Sequence, residues 1–134
     1  MKDEEIRTVL SRCKTIAVVG ISPKEDRPSY TVASYLKSKG YKIIPVRPDG
    51  ETILGEKVYH SLQEIPREVN IDIVDIFRRS EDVPPVVEEA IHRGAKVVWM
   101  QEGVIHPEAG ASAERAGLQV VMDRCIKKDH QRLM

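Results

Sequence analysis

Aromatic side chains are scarce in this sequence: one Trp, one Phe and four Tyr among 134 residues. A core must therefore be built from Val, Ile, Leu and Ala. Cysteine is scarcer still. Cys13 and Cys125 cannot make a disulfide framework, which points to a reduced, cytoplasmic setting. An excess of charge is missing too, with 21 basic residues against 21 acidic ones. That balance argues against a generic binder of nucleic acid or membrane surface, which presents a basic excess. No apolar run approaches the roughly 20 residues of a membrane span. The charged start Met1-Lys2-Asp3-Glu4-Glu5 lacks the apolar centre of a signal peptide. The length suffices for one core and not for two, so a single domain over residues 1–134 is expected.

What is present is an alternation of strand and helix. Asp3 to Arg12 places Ile6, Val9 and Leu10 on one face of an amphipathic helix. Thr15 to Val19 is a short apolar strand that ends at Gly20. After a charged loop from Ile21 to Pro28, Ser29 reads as the N-cap of a helix running to Lys39 and closed by Gly40. Tyr41 to Val46, Ile71 to Phe77, Lys96 to Met100 and Gln119 to Met122 read as further strands. Between them, Leu54-Gly55 marks a turn, and Ser61 with Glu64 has the spacing of a capping box. A helix begins at Ser80 or Asp82 and runs to Arg93, and another spans His106 to Ala116. Lys127 to Met134 is polar, a short helix or a frayed end. Five strands alternating with helices predict an α/β fold, a doubly wound parallel sheet of five strands with helices on both faces.

In such a sheet ligands lie beyond the C-terminal strand ends, where the strand order reverses. The loop after the first strand is the most informative. Gly20 lets the backbone come close to a ligand, Ser22 and Ser29 offer hydroxyls, and Arg27 offers a fork suited to phosphate. The helix start beside Ser29 adds free N–H groups and the positive end of a dipole. Gly20 alone reads as a turn, and Arg27 alone as a solvated charge. Their shared position after the first strand makes them an anion site suited to a pyrophosphate.

Two absences shape the choice of nucleotide. The second and third glycines of the G-x-G-x-x-G fingerprint are missing. The second strand ends in Pro45-Val46-Arg47-Pro48, without the acid that holds a ribose 2′-hydroxyl in NAD sites. Arg47 suits a phosphorylated ribose, as in NADP or coenzyme A, and equally an exposed loop cation. Phe77 suits the core or the face of an adenine, with Arg78 stacking or reaching phosphate. Val83, Pro84 and Val87 give an apolar wall, and Gln101-Glu102-Gly103 a polar floor. Trp99 reads as core.

No catalytic set emerges. His60, His92, His106 and His130 lack metal spacing or a nucleophilic partner, and His106 reads as a surface residue at a helix start. No metal site is expected. Cys13 precedes the first strand, away from the cleft, and reads as inert. Cys125 falls on the cleft side beside Arg124, Lys127 and Lys128, a structural cysteine or one able to react with a ligand thiol.

Taken in order, Val18-Val19-Gly20-Ile21-Ser22, Arg27-Pro28-Ser29-Tyr30, Gly40-Tyr41, Pro45-Val46, Ile53-Leu54-Gly55, Tyr59, Ser61-Leu62 and Ile65-Pro66 resemble the small stand-alone CoA-binding domain proteins. So do Val74-Asp75-Ile76-Phe77-Arg78, Trp99-Met100-Gln101 and Asp123-Arg124-Cys125. That family is related to the N-terminal domain of the succinyl-CoA synthetase α subunit. The resemblance implies a Rossmann-like fold with coenzyme A across the strand ends. It implies Gly20, Ser22, Arg27 and Ser29 at the phosphates, with Ile21, Pro28 and Tyr30 in the same loop and helix start. Val46, Arg47 and Pro48 would flank the adenosine, Phe77, Arg78 and Val83 the next wall, and Gln101 and Gly103 the pantetheine arm. Two residues depart from the family pattern: Arg47 replaces the usual Asn, and Glu102 a more usual apolar residue.

Three readings follow. The first is a module that binds coenzyme A or an acyl-CoA as a non-catalytic carrier, sensor or accessory. The second is an NADP-dependent oxidoreductase or nicotinamide redox sensor. The third is a subunit of an acyl-CoA ligase or transferase whose partner supplies catalysis. Neither nucleic acid nor membrane is an expected partner, and a homodimer or a place in a larger enzyme is left open.

Overall fold

The computed structural model describes residues 1–134. The chain opens with helix α1 (Asp3–Arg12), whose Ile6, Val9 and Leu10 are buried. Strand β1 (Thr15–Val19) follows, rich in β-branched residues that favour the extended, covered position it takes. Then come α2 (Pro28–Ser38), β2 (Lys42–Val46), the short strands β3 (Thr52–Ile53) and β4 (Glu56–Lys57), and β5 (Ile73–Ile76). The chain finishes with α3 (Val83–His92), β6 (Val97–Met100), α4 (Pro107–Arg115), β7 (Gln119–Val121) and α5 (Ile126–Leu133). No helix is long and apolar enough to cross a membrane.

Five strands form one parallel sheet in the order β2-β1-β5-β6-β7. This is the doubly wound α/β architecture expected from the alternation, and it is Rossmann-like, as the resemblance implies. Side chains alternate between two cores. Ile16 and Val18 face α1, α2 and α5, while Ala17 and Val19 face α3, α4 and the 3₁₀ turn at Leu62–Glu64. Both faces of the sheet are therefore covered, which is why the strands read as continuous apolar runs. The order reverses between β1 and β5: the chain moves outward from β1 to β2, then returns past β1 to β5. The connections leave these two neighbours in opposite directions and open a crevice at their C-terminal ends.

Local details differ from expectation at two serines, Ser29 and Ser61, while the expected turn at Leu54-Gly55 is present. Helix α2 begins at Pro28, with Arg27 at the cap position, so Ser29 lies inside the first turn. Proline is favoured at the first helical position because its missing N–H has no role there. Ser61 makes no side-chain cap bond, since the segment it opens is only a three-residue 3₁₀ turn. The Leu54-Gly55 turn joins a real hairpin: β3 and β4 pair antiparallel, and both turn residues have positive φ, +55° and +73°. A two-residue I′ turn requires that conformation at both centres.

Leu62 and Ile65 pack with the buried side chains of α3, and one polar side chain at the end of that helix adds hydrogen bonds to the 3₁₀ segment. Arg93 donates from Nη1 to the carbonyls of Leu62 (2.6 Å) and Ile65 (3.0 Å), and from Nη2 to those of Pro66 (3.3 Å) and Val69 (3.1 Å). Arg93→Ala should leave the Ile65 and Val69 carbonyls without a donor, while those of Leu62 and Pro66 keep the Ile65 and Val69 N–H, at a cost of about 2–3 kcal/mol, since hydrogen bonds to charged groups carry roughly 1.5–3 kcal/mol each. Urea denaturation measures this. Arg93→Lys should recover only part of the loss, because an ammonium lacks the planar fork.

Candidate functional site

The crevice at the strand reversal is a cleft of about 1010 Å³ over the ends of β1, β2, β5 and β6. Its formation depends on Gly20. This residue has φ +89°, and a Cβ placed on it would lie 2.2 Å from the Phe77 carbonyl oxygen. The exits of β1 and β5 therefore approach as closely as two backbones can, and only glycine permits it. The Gly20 N–H donates to Val46 O (2.9 Å) and the Phe77 N–H to Val19 O (2.8 Å), so three strand ends are tied at this point.

The loop from Ile21 to Pro28 is folded by its serines. Ser29 is buried, and its hydroxyl accepts the Ser22 N–H (2.9 Å). The Ser22 hydroxyl in turn accepts the Lys24 N–H (3.1 Å). Ser29 thus shapes the loop instead of capping the helix. In the first turn of α2, the N–H groups of Ser29 and Tyr30 have no acceptor within the protein, so the helix start offers free donors. Arg47 crosses from the end of β2 to this loop. Its Nη1 donates to Ile21 O (3.0 Å), and its guanidinium pairs with Asp49 (2.8 Å). It is a strut between two strand exits and a cation on the cleft wall.

The cleft is electropositive in a chain of no net charge. Lys24, Arg27, Arg47, Arg78 and Arg79 line it, against Asp82 and Glu102. Asp82 ties down two of the cations, lying 3.7 Å from Arg78 and 3.1 Å from Arg79. Lys24 and Arg27 make no ion pair and stand free toward solvent. A concentrated set of guanidinium groups beside free helix N–H groups is chemistry for phosphate.

The far end of the cleft is stitched together before any ligand arrives. Ser80 donates to Gly103 O (3.3 Å) and accepts the Ile105 N–H (2.9 Å), joining the exits of β5 and β6. Asp123 accepts the Gly103 N–H (2.7 Å), and Gln101 Oε1 accepts the Ile126 N–H (3.2 Å), joining β6 to β7 and α5. Trp99, fully buried, donates its indole N–H to Arg124 O (2.8 Å). Arg124 forks onto the buried Asp129 at 2.7 and 2.8 Å. Burial alone would push the Asp129 carboxyl up, but Arg124 and Arg132 outweigh it and hold the group below the ordinary carboxylate range.

Most of the residues singled out from the sequence meet here. Gly20, Ile21, Ser22, Arg27, Pro28, Ser29, Arg47, Pro48, Phe77, Arg78 and Gln101 all line the cleft. Four do not. Val83 is fully buried among the α3 side chains. Val46 is buried at the end of β2 and borders a neighbouring cavity of about 350 Å³ behind Arg47 and Arg78. Tyr30 packs its ring on the core, and Gly103 is the joint between Ser80 and Asp123. Pro23, Lys24, Val32, Arg79, Asp82 and Val104 line the cleft without having been singled out. Val32 was legible as the residue one helical turn beyond Ser29 on the same face. Glu102 and Cys125, weighed from the sequence, both reach the cleft. His106 caps α4, its Nδ1 accepting the Ala109 N–H (3.1 Å). No group of three or more His, Cys, Asp or Glu residues is placed to hold a metal ion.

Comparison with known proteins agrees with this architecture. An uncharacterized protein of Bacillus subtilis, YneT, is 45% identical over 126 residues, covering 94% of this chain and 92% of that one. A hypothetical protein from Pyrococcus horikoshii superposes with a TM-score of 0.95 at 44% identity, covering 99% of this chain and 92% of that one. The ADP-forming acetate–CoA ligase II of Archaeoglobus fulgidus is 33% identical over 118 residues. That match covers 85% of this chain but only 17% of the ligase. The CoA binding domain family is matched over residues 14–131. With that match over nearly its whole length, the chain belongs to the CoA binding domain family.

Proposed function

We propose that the protein binds coenzyme A or an acyl-CoA across the strand ends, as a carrier, sensor or accessory module without catalytic groups of its own. The observation that carries this reading is the electropositive cleft at the β1/β5 reversal, in a neutral chain of the CoA binding domain family. The phosphates lie on the Gly20–Ser29 loop and the first turn of α2, facing Arg27. The adenosine lies toward Pro48, with Arg47 and Arg78 on either side, and the pantetheine arm runs toward Gln101. Arg47 keeps N–H groups beyond those used on Ile21 and Asp49, enough to meet a 3′-phosphate.

A thermal-shift panel of coenzyme A, acetyl-CoA, NAD(H) and NADP(H) tests the reading. At about 100 times its Kd, a ligand stabilises the fold by about 2.7 kcal/mol, which is about 8 °C for a domain of this size. Coenzyme A should give such a shift. A shift with a nicotinamide nucleotide alone would favour the oxidoreductase alternative instead. Arg27→Ala should weaken coenzyme A binding by roughly 10- to 50-fold through loss of a charge-assisted contact, and calorimetry at two salt concentrations should show a shallower salt dependence.

A second reading has its own observation. The ADP-forming acetate–CoA ligases match this chain over a small fraction of their length. A module of this kind could serve beside a separate catalytic subunit, and co-purification of a stoichiometric larger partner would favour that role.

A further inference from the structure

The two cysteines sit in opposite settings. Cys13 lies before β1 at the N-terminal edge of the sheet, packed in the core. Burial, followed by the nearby Asp72 charge, pushes its thiol up to about 11. Cys125 immediately precedes α5 and lines the cleft that also holds Ser22 and Arg27. It is only about 9% exposed, so access to it runs through the cleft.

A second, independent feature lies beside it. Gln101 is 4% exposed, and its carboxamide is only half satisfied. Its Oε1 accepts the Ile126 N–H at 3.2 Å, which fixes the orientation of the amide. The Nε2 then has no acceptor in the protein. It is not sealed from solvent, since only the Asp75 oxygens are both fully buried and unpartnered. A buried side chain held from one side, with two free N–H donors at a cleft wall, is built to receive a carbonyl oxygen. The Gln101 amide and the Cys125 thiol are linked through Ile126, the residue after the cysteine. Across the mouth next to them, Glu102 pairs with Lys128 at 2.9 Å.

We propose that Cys125 is a covalent capture site for the thiol end of the ligand, forming a mixed disulfide with coenzyme A, while Gln101 holds an amide carbonyl of the pantetheine arm. This rests on the coenzyme A reading above. The co-reactant is a disulfide of the ligand itself. The Cys125 thiolate attacks one sulfur of coenzyme A disulfide, and a bond forms between Sγ and that sulfur as the original S–S bond breaks. The departing coenzyme A leaves as a thiolate and takes up the proton that Cys125 gave up. One disulfide is consumed and one formed, so no external oxidant is required. The protein would then record the redox state of the coenzyme A pool.

The test uses the full chain, first reduced and then freed of reductant. Incubation with coenzyme A disulfide should give an intact-mass increase of one coenzyme A less the hydrogens lost in forming the bond. Peptide mapping should place it on Cys125 and not Cys13, and dithiothreitol should remove it. Cys125→Ser should take no adduct. Coenzyme A disulfide should react on the order of 100-fold faster than glutathione disulfide, because binding holds the reacting sulfur in place. Desulfo-coenzyme A should compete that advantage away. Equal rates with the two disulfides, or an adduct on Cys13, would overturn the inference. Calorimetry of reduced protein with coenzyme A under reductant separates the two levels. Binding without adduct removes only the covalent step, whereas no binding removes the coenzyme A reading and this inference with it.

Discussion

Gly20→Ala should lower the melting temperature by about 10 °C and weaken coenzyme A binding at least about 100-fold. Two effects add. The residue has φ +89°, a conformation that costs an L-residue roughly 1–2 kcal/mol. The new methyl would also lie 2.2 Å from the Phe77 carbonyl oxygen and 2.9 Å from the Arg78 side chain. Phe77 cannot retreat freely, because its own N–H is held by Val19. Forcing β1 and β5 apart adds about 1–3 kcal/mol, as overpacking does elsewhere. A sum of about 3 kcal/mol corresponds to about 10 °C in a domain of this length. The binding loss is larger than the stability loss implies, since the same displacement moves Arg78 and the floor of the cleft. Gly117→Ala is the control. Its φ is +93°, but nothing lies within 4 Å of the added carbon. It should show only the conformational part, with ligand affinity unchanged. If both variants behaved alike in melting and binding, the close approach at Gly20 would not be what forms the site.

The sequence was most legible where local chemistry and the global fold demand the same residue. Thr15–Val19, ending in Gly20, reads as a buried strand with a sharp exit, and the fold uses it so. The placement of Arg27, Arg47 and Arg78 after successive strands shows that they share one edge of a parallel sheet, and they do share one cleft. Hydrogen-bond partners were not legible. Ser29 has the composition of an N-cap, but Pro28 takes the first helical position and turns the serine hydroxyl back to Ser22. Gly103 has the position of a lining residue, yet its backbone is taken by Ser80 and Asp123, contacts between loops far apart in sequence. Val83 follows a strand exit as a lining residue should, but the preceding 3₁₀ turn at Ser80–Asp82 points it into the core. Period-two reading also passes over Asp75. Within Val74-Asp75-Ile76 an acid suggests a solvated face, and only the helices packed on both sides of the sheet deny it water.

Asp75→Val should stabilise the fold, by an amount that grows with pH. Asp75 is fully buried in β5, paired in register with Val18 on one side and Trp99 on the other. Neither carboxylate oxygen has a hydrogen-bond partner. Burial pushes the group well above its ordinary carboxylate value of 3.8, so the folded protein keeps it protonated where the unfolded chain has released the proton. The sign follows directly. Below about pH 4 the acid is neutral in both states. Above that, the unfolded chain ionises and is favoured, so stability falls by up to about 1.4 kcal/mol per pH unit until the folded group ionises as well. Asp3, Asp72 and Asp129 act in the opposite sense. Their Arg132, backbone and Arg124 partners hold them below the usual range, and their contribution is lost only as pH falls through about 4 and below. The two windows therefore separate. Valine removes the titration and the unsatisfied oxygens, and it suits a central parallel strand flanked by Val74 and Ile76. Urea denaturation should show a gain of about 2 kcal/mol at pH 5, from removing unsatisfied polar atoms, and a larger gain at pH 8. A variant that tracked the parent in parallel from pH 5 to 8 would mean that Asp75 finds a partner for its charge. Asp75→Asn separates the two contributions, because it removes the titration while leaving a polar group in the core. It should flatten the pH dependence without the full gain in stability.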